Sequence, residues 1–343
     1  MALALALLTA SCGATTDVPT VQPPPEAVAA LEAVRPSGLF AVGLKDLSGA
    51  STTPLWLFYP AESAGESGAM PSPASYKTAL TRRFGAPAAA ALMAARSSAG
   101  WNAKPAEGPF PVLVFAPGAG MGARDYRLLL EDLVSHGYVV AAVNPLGSPP
   151  VSDRRYGEAA DEMVRAAATV RGLAAKEAGF IDGARVGFVG HSLGGAAAVL
   201  ALSKDARARV AINLDGDYSA AANAPAPAKP ILYVVGLTDG ERQASRDRRS
   251  RTWKAVSNGN DRAIALQIQA ARHFDFADAA LLPPATISDD RRRNRFGPIG
   301  GARAHAVIAK LLVGFLDEAL AERSEHLAAV LVEAPEARRV SAF

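Results

Sequence analysis

The chain has 343 residues, of which 50% are hydrophobic and 20% charged, with 36 Lys and Arg against 33 Asp and Glu and a formal net charge of +3. That length supports one large α/β core or two small ones, while so small a charge excess gives no footing for nucleic-acid binding. No apolar run approaches the ~20 residues that a membrane-spanning helix needs, and a lone cysteine, Cys12, excludes an intrachain disulfide.

The first residues, MALALALLTASC, run from a short apolar stretch through small residues into Cys12. This resembles a bacterial lipoprotein signal, in which the cysteine becomes the lipidated first residue. On that reading residues 1–12 are an export signal, Cys12 is the lipid attachment point and a route to membrane association, and the protein resides in the cell envelope or is secreted. Residues 13–37, beginning GATTDVPTVQPPPEA, are polar and proline-rich and read as a flexible linker.

Ordered structure is expected over 38–322, starting with two strands, LFAVGLKDL and TPLWLFYPA. Residues 61–108, rich in Ala, Gly and Ser, read as an insertion or lid, with Phe84 and Trp101 as candidate pocket-lining side chains. From residue 111 an alternation sets in: strand PVLVFAP, helix DYRLLLEDLVSHG, strand YVVAAVNP, helix GEAADEMVRAAATVRGLAAKEAG, strand RVGFVGHS, helix GGAAAVLALSK and strand RVAINLDG. It continues through PILYVVGLTDG, the helical RQASRDRRSRTWKAV, the strand AIALQIQAARH and a closing helix AHAVIAKLLVGFLDEAL, leaving 323–343 as a tail of no clear role. Strands apolar on both faces and separated by helices predict a mostly parallel, doubly wound sheet covered on both sides. The basic clusters RDRRSR (246–251) and RRRNR (291–295) read first as solvated surface, with an anionic contact as the lesser reading.

In such sheets ligands bind beyond the carboxyl ends of the strands. Ser192 stands there, in GHSLGG, where small neighbours permit a tight strand-to-helix turn and leave the Leu193 N–H at the positive end of the next helix. Among five histidines, only His273 directly follows a late predicted strand, so it is the candidate base; His191, beside the serine, is expected to point away from the site. Two carboxylates, Asp215 and Asp239, end strands between the serine and the histidine, with Asp217 a weaker third. The loop in FAPGAGMGARDY offers Ala119 as a second oxyanion donor; it lacks the lysine of a phosphate-binding loop. No metal or cofactor is called for.

The segments FPVLVFAPGAG, LVSHGYVVAAVNPLGS, GHSLGGAAA, NLDGDY, RHFDFAD and RFGPIGGARAHAVIAKLLVGFLDEAL together resemble the α/β-hydrolases, specifically the bacterial platelet-activating factor acetylhydrolase branch that borders on the dienelactone hydrolases. The likeness runs from about Phe58 to about Leu320 and implies an α/β-hydrolase fold, the order Ser192, Asp215, His273 for nucleophile, acid and base, and hydrolysis of short-chain or phospholipid-type esters. Asp239 remains the alternative acid. Ala116 and Pro117 replace a common serine and histidine, and Asn144 a frequent aspartate; these changes bear on substrate preference. An acyltransferase using the same residues, or a non-enzymatic envelope lipoprotein with this fold, would be the alternatives.

Overall fold

A computed structural model describes residues 21–50, 54–68, 70, 72, 74–143, 153–176, 179–218, 226–237, 240, 242–321 and 326–343. Cys12, Asn144 and Asp239 lie outside them. The elements in chain order are α1 (Pro25–Ala33), β1 (Ala41–Asp46), β2 (Leu55–Ala61), α2 (Ala74–Phe84), α3 (Ala86–Ala94), β3 (Gly100–Trp101), β4 (Phe110–Ala116), α4 (Arg127–Ser135), β5 (Val139–Val143) and α5 (Asp153–Lys176). There follow β6 (Ile181–His191), α6 (Leu193–Lys204), β7 (Val210–Leu214), β8 (Ile231–Leu237), α7 (Gln243–Ser257), β9 (Ala263–Gln269), α8 (Asp289–Arg295), α9 (Gly301–Ala319), α10 (His326–Glu333) and β10 (Ala337–Val340).

All ten strands form one sheet in the order β10-β9-β8-β7-β6-β4-β5-β2-β1-β3. The six central strands β5, β4, β6, β7, β8 and β9 are mutually parallel. The β1–β2, β2–β5 and β9–β10 pairs are antiparallel. Alternation along β4 shows why its apolar run is continuous. Leu113 and Phe115 enter the core beneath α4 and α9, whereas Val112 and Val114 enter the core beneath α5 and α6. A strand buried on both faces has no position left for a polar side chain.

Three stretches depart from the sequence reading. The linker proposed for 13–37 contains α1, whose Ala27 and Leu31 are fully buried against α3, so 25–33 folds with the domain. Its apolar spacing is only one turn long, and the prolines in front of it masked it. The tail at 323–343 supplies α10, which packs on α9 through Leu327, and β10, which completes the sheet beside β9. Two of the four β10 residues are exposed arginines, a pattern of a protected sheet edge rather than of a core strand. Finally, Trp101 sits on β3 at the far edge of the sheet, and Phe84 is buried among α2, α3 and Phe296, so neither lines the cavity that holds Ser192. The region 61–108 instead packs α2 and α3 against residues 279–296 through Leu80, Phe84 and Leu92.

Candidate active site

Three features of the chain converge on the turn between β6 and α6. Ser192 has φ 56 and ψ −119, a conformation that L-residues avoid and that costs about 1–3 kcal/mol. Its neighbours must be glycine for a steric reason. A Cβ at Gly190 would overlap the backbone of Gly194, and one at Gly194 would overlap the backbone of Ala116 and Pro117 at the end of β4. The Ser192 N–H donates to Leu214 O at 2.8 Å, which ties the turn to β7. Leu193 opens the 12-residue α6, so its N–H stands at the positive end of that helix.

Asp215 follows β7, also with positive φ (51), and its N–H donates to Val234 O at 2.7 Å. Its Oδ2 lies 2.7 Å from His273 Nδ1, and its Oδ1 lies 3.6 Å from Arg249 Nη2. A carboxylate only accepts, so Nδ1 carries the hydrogen and Nε2 of a neutral His273 keeps its lone pair. Ser192, Asp215 and His273 line one cavity of about 870 Å³. Asp217 lines the same cavity, but its Oδ1 accepts from Thr252 Oγ1 at 3.2 Å. Among the described residues no cluster of three His, Cys, Asp or Glu side chains is placed to hold a metal ion.

Ala119 and Leu193 both line a second, smaller cavity of about 20 Å³, which Ser192 does not line. The adjacent Gly118 N–H is already used, donating to Tyr126 Oη at 3.1 Å.

Sequence reasoning missed the residues that hold these loops. His191 is fully buried and turned away from the cavity, as expected, yet it is not idle. Its Nε2 is 2.9 Å from the His273 carbonyl, its Nδ1 is 2.7 Å from Tyr126 Oη, and its ring lies 4.5 Å from that of His273. The carbonyl can only accept, so Nε2–H donates to it and Tyr126 O–H donates to Nδ1. Burial holds the His191 imidazole well below its usual pKa, and the nearby His273 adds to this, so the ring is neutral at pH 7. One relay therefore joins the loop after β4 at Gly118 to the main chain of His273. Arg83 of α2 supplies a second clamp, donating to Ala119 O at 2.7 Å and Gly120 O at 3.0 Å while lying over the Phe274 ring. No local pattern marks Tyr126 or Arg83, because their partners are main-chain atoms and a ring nitrogen remote in sequence.

Two buried carboxylates fix the outer ends of the same loops. Asp125 Oδ2 accepts the Gly122 N–H at 2.9 Å, and Asp275 Oδ2 accepts the N–H groups of Arg272 (2.7 Å) and Gly297 (2.6 Å). Burial pushes both carboxyls up from 3.8 to about 6. In Asp275, Oδ1 is buried without a hydrogen-bond partner and is the natural place for the proton, whereas Asp125 also faces the Tyr76 hydroxyl, which favours its charged form.

Two predictions arise from this geometry. Between about pH 4 and pH 6 the folded protein binds more protons at Asp125 and Asp275 than the unfolded chain does, so their contribution to stability falls as pH rises across that window, and the buried Asp278, held well above the usual carboxylate range, extends the fall to higher pH. Asp125 and Asp275 each contribute on the order of 3 kcal/mol to the fall. Asp125→Asn with Asp275→Asn should flatten the slope in urea unfolding followed across that range, and an unchanged slope would remove these carboxyls as its cause. Tyr126→Phe strips the relay of its hydroxyl and should lower kcat roughly tenfold, equivalent to ~1.4 kcal/mol, with little change in KM. Equal kcat in wild type and variant would show that the relay does not position His273.

Comparison with known proteins agrees with this architecture. The chain is similar in structure to a ferulic acid esterase from Streptomyces cinnamoneus, with a TM-score of 0.70 and 26% identity over 90% of this chain and 98% of the other. No curated protein matches it in sequence. Residues 113–339, about two thirds of the chain, match the alpha/beta hydrolase family. On that match, and with the sheet and the strand-to-helix turn described above, the chain belongs to the alpha/beta hydrolases.

Proposed function

We propose that the protein is a serine carboxylic ester hydrolase in which Ser192, His273 and Asp215 are nucleophile, base and acid. The observation that carries the reading is the 2.7 Å contact of His273 Nδ1 with Asp215 Oδ2 on the wall of the cavity that also holds the strained Ser192. His273 Nε2 takes the proton of the Ser192 hydroxyl as Oγ attacks the ester carbonyl. The N–H groups of Leu193, at the start of α6, and of Ala119, in the loop after β4, receive the oxyanion. Collapse of the tetrahedral intermediate expels the alkoxide, which takes the proton from His273. Water then enters, gives its proton to His273 and attacks the acyl carbonyl, and the acid leaves as Ser192 regains its hydrogen.

The activity named for the structural neighbour, a ferulic acid esterase, supports ester hydrolysis and adds aromatic acid esters to the short-chain and phospholipid-type esters of the acetylhydrolase-like reading.

Variant kinetics test the assignment. With p-nitrophenyl butyrate, Ser192→Ala should lower kcat by roughly 10⁴-fold or more. Asp215→Asn should lower it by roughly 10²- to 10⁴-fold, with Asp239→Asn staying within a few fold of wild type. Turnover retained in Ser192→Ala would overturn the mechanism, and a larger loss in Asp239→Asn than in Asp215→Asn would transfer the acid to Asp239.

A further inference from the structure

The first basic cluster of the sequence borders the cavity of Ser192: Arg248 and Arg249 line it, whereas the second cluster reaches it only through Asn294. From α7 come Arg248 and Arg249; with Arg242 just before that helix and Arg272 just before His273, four arginines line the cavity. Asn294 of α8 lines the cavity as well, and the next residue, Arg295, lies over the Phe274 ring at 5.3 Å, the ring that Arg83 covers at 5.7 Å. Arg295 is thereby held close enough to Arg83 and Arg291 to feel both as like charges.

Among the described residues the cavity is lined by two carboxylates, and both are engaged. Asp215 is engaged by His273 and Arg249, and Asp217 by Thr252, with Arg248 at 3.8 Å. Arg242 and Arg272 make no ion pair within 4.0 Å among the described residues, although the Asp275 carboxyl feels the charge of Arg272. The acidic residues of α8 do not reach the cavity wall, and Asp290 pairs with Arg293 at 2.6 Å.

A cleft lined by one sign of charge focuses the field and concentrates ligands of the opposite sign. The planar guanidinium fork fits carboxylate and phosphate oxygens and is a poor match for a neutral acyl chain. An apolar acyl pocket needs none of these groups. We infer that the ester cleaved at Ser192 carries an anionic oxygen group, a carboxylate or a phosphate, which seats against Arg242, Arg248 and Arg272 while the ester carbonyl faces Ser192. The inference rests on the serine ester hydrolase reading and specifies its substrate class. The chemistry of the reaction is unchanged: the anionic group takes no part in bond making, and its contribution is to hold the ester in register with the nucleophile.

The test compares esters that differ only in the remote group, using the full chain. The p-nitrophenyl monoester of glutaric acid carries a terminal carboxylate, p-nitrophenyl pentanoate is its neutral counterpart, and a p-nitrophenyl ester of 4-phosphooxybutanoic acid supplies the phosphate. At low ionic strength kcat/KM for at least one anionic ester should exceed that for the neutral ester by roughly tenfold or more, and the ratio should shrink severalfold in 0.5 M NaCl. The larger of the two anionic ratios identifies carboxylate or phosphate as the recognised group. In the double variant Arg248→Gln with Arg272→Gln the ratio should approach one. Since the ratio is read within each protein preparation, a loss of folded protein cancels. A ratio at or below one in wild type, or one that the double substitution leaves unchanged, would overturn the inference. Ser192→Ala separates the two levels: if it still cleaves all three esters, the serine reading fails, whereas its inactivity together with a flat ratio would overturn the anionic substrate alone.

Discussion

The site depends on one unfavourable backbone conformation, the positive φ at Ser192. Holding a serine there is possible only because β6 and α6 approach so closely that side chains at Gly190 and Gly194 would collide with backbone. The strain is sustained by the sheet: β6 lies between β4 and β7, and the Ser192 amide is tied to Leu214. The same close approach sets Leu193 at the start of α6 beside the loop that follows β4, which is how Ala119 comes to share a cavity with it. Parallel order then brings the ends of β7 and β9 alongside, and with them Asp215 and His273.

Around this turn, buried polar groups do the work of a frame. Tyr126 and His191 connect the Gly118 amide to the His273 carbonyl, and Arg83 grips the carbonyls of Ala119 and Gly120. Asp125 and Asp275 anchor the far ends of the two loops at the expense of burying carboxyls. Loops that carry chemistry are thus fixed by donors and acceptors from α2, from the residues before α4 and from β6. The loss of one member of such a buried network leaves others unpaired in a medium of low dielectric.

Much of this was legible in the chain itself. The alternation of doubly apolar strands with helices identifies the sheet, and the positions of Ser192, Asp215 and His273 after β6, β7 and β9 place them at the carboxyl ends of its parallel strands. What escaped reading has physical causes. The helix α1 is short and preceded by prolines, and β10 is an arginine-bearing edge strand, so neither shows the periodicity of a buried element. Tyr126, His191 and Arg83 act through main-chain atoms distant in sequence, which leaves no local motif. The basic cluster at 246–251 looks like ordinary surface until the fold brings Arg248 and Arg249 to the cavity that holds Ser192.

The central claim is that Ser192 is the attacking atom's residue, and covalent trapping addresses it directly. Treatment with a fluorophosphonate followed by trypsin digestion and mass mapping should place a single phosphonyl group on the peptide 186–204, at Ser192, with loss of ester turnover in step with labelling. An adduct on any other residue, or full labelling with turnover intact, would contradict the account.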